Sequence, residues 1–251
     1  MRRLLLIGIG TGNPEHVTIQ AVRALNAAEV VFLIGKGDAK ADLVRVRREI
    51  CERYIEGPQP RFVAAADPAR DRTPADYGVA VDDWHAARAE LYEDLVAKNL
   101  GDNGCGAFLV WGDPALYDST IRIIDRIHAR GRLAFDVEVI PGITSVQALA
   151  AGHRIALNGI GEPVTITTGR RLAADLSADG ATVVMLDGKV DFAGLDPNLT
   201  IHWGAYLGTS DELLIAGRLG DVAELIRETR RTARARHGWI MDIYRLARPA
   251  T

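Results

Sequence analysis

Residues 4–18 read LLLIGIGTGNPEHVT. Leu4–Ile9 is a nearly unbroken apolar run, the pattern of a strand buried on both faces of a parallel sheet. Gly10–Val17 follows as a loop. Ile19–Ala28 then carries helical periodicity behind Thr18 as N-cap, with Val17 and Val22 flanking the cap at staple spacing. Strand, glycine-rich loop and helix form the opening unit of an open α/β sheet, where ligands bind outside the carboxyl ends of the strands. The apolar run is too short for a signal peptide and no small-residue cleavage pattern follows it, so it reads as a buried strand.

Outward from this unit the alternation continues. Strands are expected at Val30–Ile34, Arg61–Ala64, Ala107–Trp111 and Phe135–Ile140. Helices are expected at Ala39–Tyr54, Asp83–Asn99 and Ser119–Ala129, with an exposed loop at Asp67–Tyr77. About five parallel strands with crossovers define an open α/β domain over residues 1–154. After Arg154 the texture changes. Val164–Thr168, Thr182–Leu186, Thr200–Tyr206 and Ile240–Tyr244 are strand-like, and Gly220–Arg236 is helical. The expectation is a smaller mixed α+β domain over 155–251, with Ser145–Gly152 a helix before the boundary.

Composition narrows the function classes. The 251 residues are 48% apolar and 25% charged with a net charge of −3, which gives no basis for binding a nucleic acid. No apolar run is long enough to cross a membrane. The basic residues are nearly all Arg, with Lys only at Lys36, Lys40, Lys98 and Lys189. A genome rich in GC accounts for that bias, and so does a cleft that grips carboxylates, because the guanidinium donates in a fork. Cys51 and Cys105 lack CxxC spacing and read as packing residues of a chain in a reducing cytosol. The six His show no ligand spacing, so no metal is expected.

Three loops at the carboxyl edge hold the candidate chemistry: Gly8–Pro14, Trp111–Pro114 and Pro141–Ser145. The first invites a dinucleotide reading, and with it a nicotinamide-dependent oxidoreductase. Its third glycine would fall at Asn13, however, and Ile34, Gly35 and Lys36 stand where an acidic residue should close the second strand. In the second loop Asp113 can serve a ligand, or it can staple backbone amides.

Taken together, GIGTGNPEHVT (Gly8–Thr18), WGDPALY (Trp111–Tyr117), VIPGITS (Val139–Ser145) and Gly208-Thr209-Ser210 with Glu212 and Gly217 resemble, in order, the signature segments of the tetrapyrrole methylases. The resemblance spans essentially the whole chain. Lys36–Leu43 leading into Arg47–Cys51, and GIGEPVTITTGRR (Gly159–Arg171), resemble the deacetylating branch of that family; a C11- or C20-methylase is the nearest alternative. The resemblance implies S-adenosylmethionine as cofactor, held in a cleft between two domains, a carboxylate-rich tetrapyrrole substrate, and a homodimer. Carried over by motif, Thr11, Gly112, Asp113, Leu116, Thr144, Ser145, Asp187 and Gly208 are the expected cofactor contacts. Thr11 stands where most members have Pro. Asp187 replaces a usually apolar residue, so its contact is expected through the backbone or not at all. For a branch that loses acetate while methylating ring carbon C1, a water needs a base and a developing alkoxide needs a donor. Asp113 is the candidate base or orienter and Tyr117 the candidate donor, with His16 a further candidate. Arg122, Arg170, Arg171, Lys36 and Lys40 are candidate partners for substrate carboxylates.

Overall fold

A computed structural model describes residues 1–35, 41–69 and 76–249. Strands β1 (Arg2–Gly8), β2 (Val30–Gly35), β3 (Arg61–Ala66), β4 (Cys105–Val110) and β5 (Phe135–Ile140) form one sheet in the order β3-β2-β4-β1-β5. Every pairing in it is parallel. The continuous apolar runs of β1, β2 and β4 follow from burial on both faces. Leu5, Ile7 and Ile9 join α1 (Ile19–Ala27) and α2 (Ala41–Tyr54) in one core, and Leu4 and Leu6 join α3 (Tyr77–Asn99) and α4 (Thr120–Arg130) in another. Thr18 caps α1, its hydroxyl accepting from Ala21 N at 3.1 Å, as the sequence predicts.

The second sheet has the order β6-β7-β10-β8-β9, built from Val164–Thr168, Ala181–Met185, Asp242–Ala247, Thr200–Ala205 and Leu213–Arg218. Only β6 and β7 run parallel; the other pairs are antiparallel. On one face Trp203, Tyr244, Val184 and Ile201 pack beneath α7 (Leu219–His237) in a single core. Two further helices, α5 (Ser145–His153) and the short α6 (Leu172–Asp175), complete this part.

The chain divides into two compact units, Met1–Gly10 with Pro14–Ile143, and Thr11–Asn13 with Thr144–Thr251. The division thus falls after Ile143 rather than after Arg154, because α5 packs on β8, β9 and β10.

Other differences have local causes. Helix α3 starts at Tyr77, six residues before the expected Asp83, because Asp76 caps it by accepting from Gly78 N and Val79 N. Strand β10 begins at Asp242, since Trp239 and Ile240 pack in the loop before it rather than in the ladder. Strand β9 has no counterpart among the expected elements. Asp67, expected in an exposed loop, is buried against Arg88 at 2.7 Å, with 5% of its side chain accessible. Arg88 also donates to Ser119 Oγ at 2.8 Å and lies over Trp84, so α3 ties the end of β3 to the start of α4. Residues 36–40, with Lys36 and Lys40, lie outside the described residues.

Candidate functional site

In the first unit the carboxyl ends of β4, β1 and β5 are neighbours, and the three motif loops leave from them. They meet backbone to backbone. A Cβ on Gly142 would stand 2.1 Å from Gly112 O and within 2.9 Å of Gly8, and one on Gly8 would stand 2.6 Å from Gly142 N. Only glycine allows this approach. Gly10 and Gly112 exchange two backbone hydrogen bonds, of 3.2 and 2.7 Å. Asp113 completes the junction: Oδ2 accepts from Gly142 N at 2.8 Å and Oδ1 from Ala115 N at 2.7 Å. Both carboxylate oxygens therefore staple the second loop to itself and to the third. Leu116 N returns to Asp113 O at 3.3 Å. The next residue, Tyr117, holds φ 51° and is 43% exposed. A left-handed backbone is uncommon for so bulky a residue and directs attention to a ligand role.

In the second unit α5 opens on Thr144 and Ser145. Thr144 Oγ1 accepts from Val146 N at 3.2 Å, and Gln147 Oε1 accepts from Thr144 N at 3.0 Å, which is a capping box. The head of α5 carries the positive end of the helix dipole, a place suited to a carboxylate. Thr11 is buried, at 4% exposure. Gly12 packs on Thr209, whose methyl would lie 2.4 Å from an added Cβ, so the first motif meets the last within this unit. Gly208 has φ 78° and donates its N–H to Glu212 Oε2 at 2.7 Å.

Asp187 is no open acceptor. Its Oδ2 takes the Tyr244 hydroxyl at 2.7 Å, and its Oδ1 takes Lys189 N and Val190 N at 3.0 and 2.9 Å. The adjoining Leu186 holds φ 54° and is 65% exposed. Sequence reading passed over Leu186, Tyr244 and Arg230. No local pattern links Asp187 to a tyrosine 57 positions away, so the sequence carries no signal for that contact.

The remaining candidates are each placed within their own unit. His16, in the 3-10 turn Pro14–His16, packs on Gly10. Arg171 makes a bidentate pair with Asp175, at 2.8 Å for each bond, which also holds the Asp175 carboxyl below its ordinary pKa. Arg122 is exposed on α4, and Arg170 lies in the 3-10 turn before α6. Cys51 and Cys105 are buried thiols, and burial pushes Cys51 up to about 11. Among the described residues no three His, Cys, Asp or Glu are grouped to hold a metal, and no helix is long and apolar enough to cross a membrane.

In the first unit the glycine loops offer bare backbone, and in the second the head of α5 offers amides suited to a carboxylate.

Two α/β units, one with a wholly parallel sheet and one with a mixed sheet, and motif loops gathered at the carboxyl edge of the first sheet, define a two-domain α/β protein of the kind that binds ligands at such loops. Residues 3–223 match the family of Tetrapyrrole (Corrin/Porphyrin) Methylases, and the chain belongs to that family. It is 56% identical, over all of its length and 97% of the relative, to precorrin-6A synthase [deacetylating] of Sinorhizobium sp. Among solved structures it resembles a cobalamin synthesis related protein (CobF) from Corynebacterium diphtheriae, with TM-score 0.84 and 40% identity over the full length of both chains. Its fold also matches uroporphyrin-III C-methyl transferase from Thermus thermophilus, complexed with S-adenosyl homocysteine, at TM-score 0.62 and 21% identity over 98% of this chain and 92% of that one.

Proposed function

We propose that this protein is a deacetylating precorrin-6A synthase of cobalamin biosynthesis, which transfers a methyl group to C1 of precorrin-5 while the C1 acetyl group leaves, with water, as acetate. The observation that carries the reading is the junction of the three signature loops at Gly8, Gly112 and Gly142, stapled by Asp113, in a chain 56% identical to such an enzyme throughout.

S-adenosylmethionine, when bound, supplies an already activated sulfonium methyl. The residues proposed to touch it are Thr11, Gly112, Asp113, Leu116, Thr144, Ser145, Asp187 and Gly208. Ser145, first in α5, offers its amide to the carboxylate end. Asp113 orients: with both oxygens on backbone amides it fixes the loops, so the task of base is better given to another group or to water. Asp187 contributes backbone, its carboxylate being held by Tyr244 and the 189–190 amides. Tyr117, a residue 43% exposed on left-handed backbone, is the donor for the alkoxide that develops as water adds to the acetyl carbonyl. Positioning and exclusion of water supply most of the rate, which suits a site without a nucleophile.

Mass spectrometry of the product from precorrin-5 and S-adenosylmethionine tests the reading by scoring both the methyl gain and the acetyl loss. Methylation with the acetyl group retained would point to a C11- or C20-type activity instead. The partners proposed are the tetrapyrrole and a second copy of the chain in a homodimer, and the proposed compartment is the cytoplasm. Light scattering showing a monomer would contradict the dimer.

A further inference from the structure

Leu186 and Val190 bracket the turn after β7, and both hold left-handed backbone, with φ 54° and 49°. Neither a leucine nor a β-branched valine adopts that conformation readily. The turn does contain a glycine, Gly188, but it is not among the glycines with positive φ. Strain of this kind persists where surrounding groups over-determine it, and it gathers at ligand sites. Here the groups that impose it are identifiable. The Tyr244 hydroxyl donates to Asp187 Oδ2 at 2.7 Å, and burial beside that carboxylate keeps the phenol protonated. Arg230 donates to the carbonyls of Asp187 and Gly188 at 3.1 and 3.2 Å. Its Nε meets Asp242 at 2.8 Å, and Asp242 also accepts from Trp203 Nε1 at 3.1 Å. The outcome is polar groups turned inward, Val190 buried at 1% exposure, and Leu186 turned out to solvent at 65%.

We propose that Tyr244 and Arg230 are positioning residues for the cofactor, locking the Leu186–Gly188 turn in the single backbone conformation that presents Leu186 and the Asp187 backbone to S-adenosylmethionine. This rests on the function proposed above. Neither residue touches the ligand. They act by holding a turn that would otherwise relax to lower strain.

The test is calorimetric titration of S-adenosylhomocysteine into the full-length chain carrying Tyr244→Phe or Arg230→Lys, beside the wild type. Ile226→Val, a buried change on α7 that removes no hydrogen bond from the turn, serves as the control for general destabilisation. The two positioning variants should raise the dissociation constant about tenfold, the effect of losing one buried charge-assisted hydrogen bond. The Lys189 and Val190 amides should exchange with deuterium faster in Tyr244→Phe. Ile226→Val should lower Tm and leave the affinity at the wild-type value. If all three variants lose Tm yet bind like the wild type, the network is only a structural clamp and the proposal falls. If the wild type itself does not bind, the proposed function falls, and this inference with it.

Discussion

The carboxylate of Asp113 connects two loops that are 29 residues apart in sequence, so its substitution should show in both stability and activity. Asp113→Ala leaves the Gly142 and Ala115 amides without their acceptor, at about 2–3 kcal/mol for charge-assisted bonds of this type. Chemical denaturation should register that loss, and turnover should fall about a hundredfold as the loop junction loosens. Wild-type turnover would remove Asp113 from the site.

His202 offers a prediction with a definite sign. It lies on β8, edge-on to His153 with ring centroids 5.1 Å apart, and its Nδ1 is buried without a hydrogen bond among the described residues. Burial holds its pKa down at about 4, against the ordinary 6.5. Between those values the unfolded chain binds the proton and the folded chain does not, so folding stability falls as pH drops through that window and is fully present above about 6.5. His202→Gln should flatten the dependence of the urea midpoint on pH between 6.5 and 4. An unchanged slope would assign that dependence to other groups.

Among elements, the glycine junction makes the sharpest claim. Gly142→Ala forces the Cβ into Gly112 O and the Gly8 backbone, neither of which is a flexible side-chain end. It should cost about 3 kcal/mol, the upper end of overpacking effects, and abolish cofactor binding. Gly101→Ala faces open space and should be neutral on both counts, so equal effects of the two changes on Tm would refute the steric reading. Strands β1, β2 and β4 are readable because burial on both faces leaves continuous apolar runs, whereas the edge strand Phe135–Ile140, with Asp136 and Glu138 exposed, is readable by its alternation and is observed at the expected bounds. Strand β9, LLIAGR, escaped because it lies at the sheet edge with its residues alternately half-buried and exposed, and a glycine near its end weakens the signal. Strand β10 starts two residues later than the expected Ile240, because Ile240 and Met241 look like strand in composition although the ladder begins with Asp242. Chain order groups helix α5 with the first domain, because it cannot show that α5 packs on strands 47 or more residues later.

For the molecule as a whole, the four motifs were legible as a set, but the functions of individual side chains were not. Asp113 and Asp187 read in sequence as polar residues in turns. Their partners, Gly142 and Tyr244, come from other elements, and only the fold shows the carboxylates to be engaged with the protein itself. If the proposed contacts hold, these two carboxylates do not anchor the ligand, and the loops offer it backbone. Linkage turns this into a measurement on the intact protein. A ligand that binds only the folded state at a hundred times its dissociation constant stabilises by about 2.7 kcal/mol. In a chain of this size that corresponds to a rise in Tm of roughly 5–10 °C. S-adenosylhomocysteine should produce that rise, and NADH at the same concentration should produce none, since Asn13 and the Ile34–Gly35 strand end lack the features a dinucleotide requires. A rise with NADH and none with S-adenosylhomocysteine would overturn the methylase reading, whereas a rise with S-adenosylhomocysteine that vanishes in Gly142→Ala would tie the cofactor to the glycine junction.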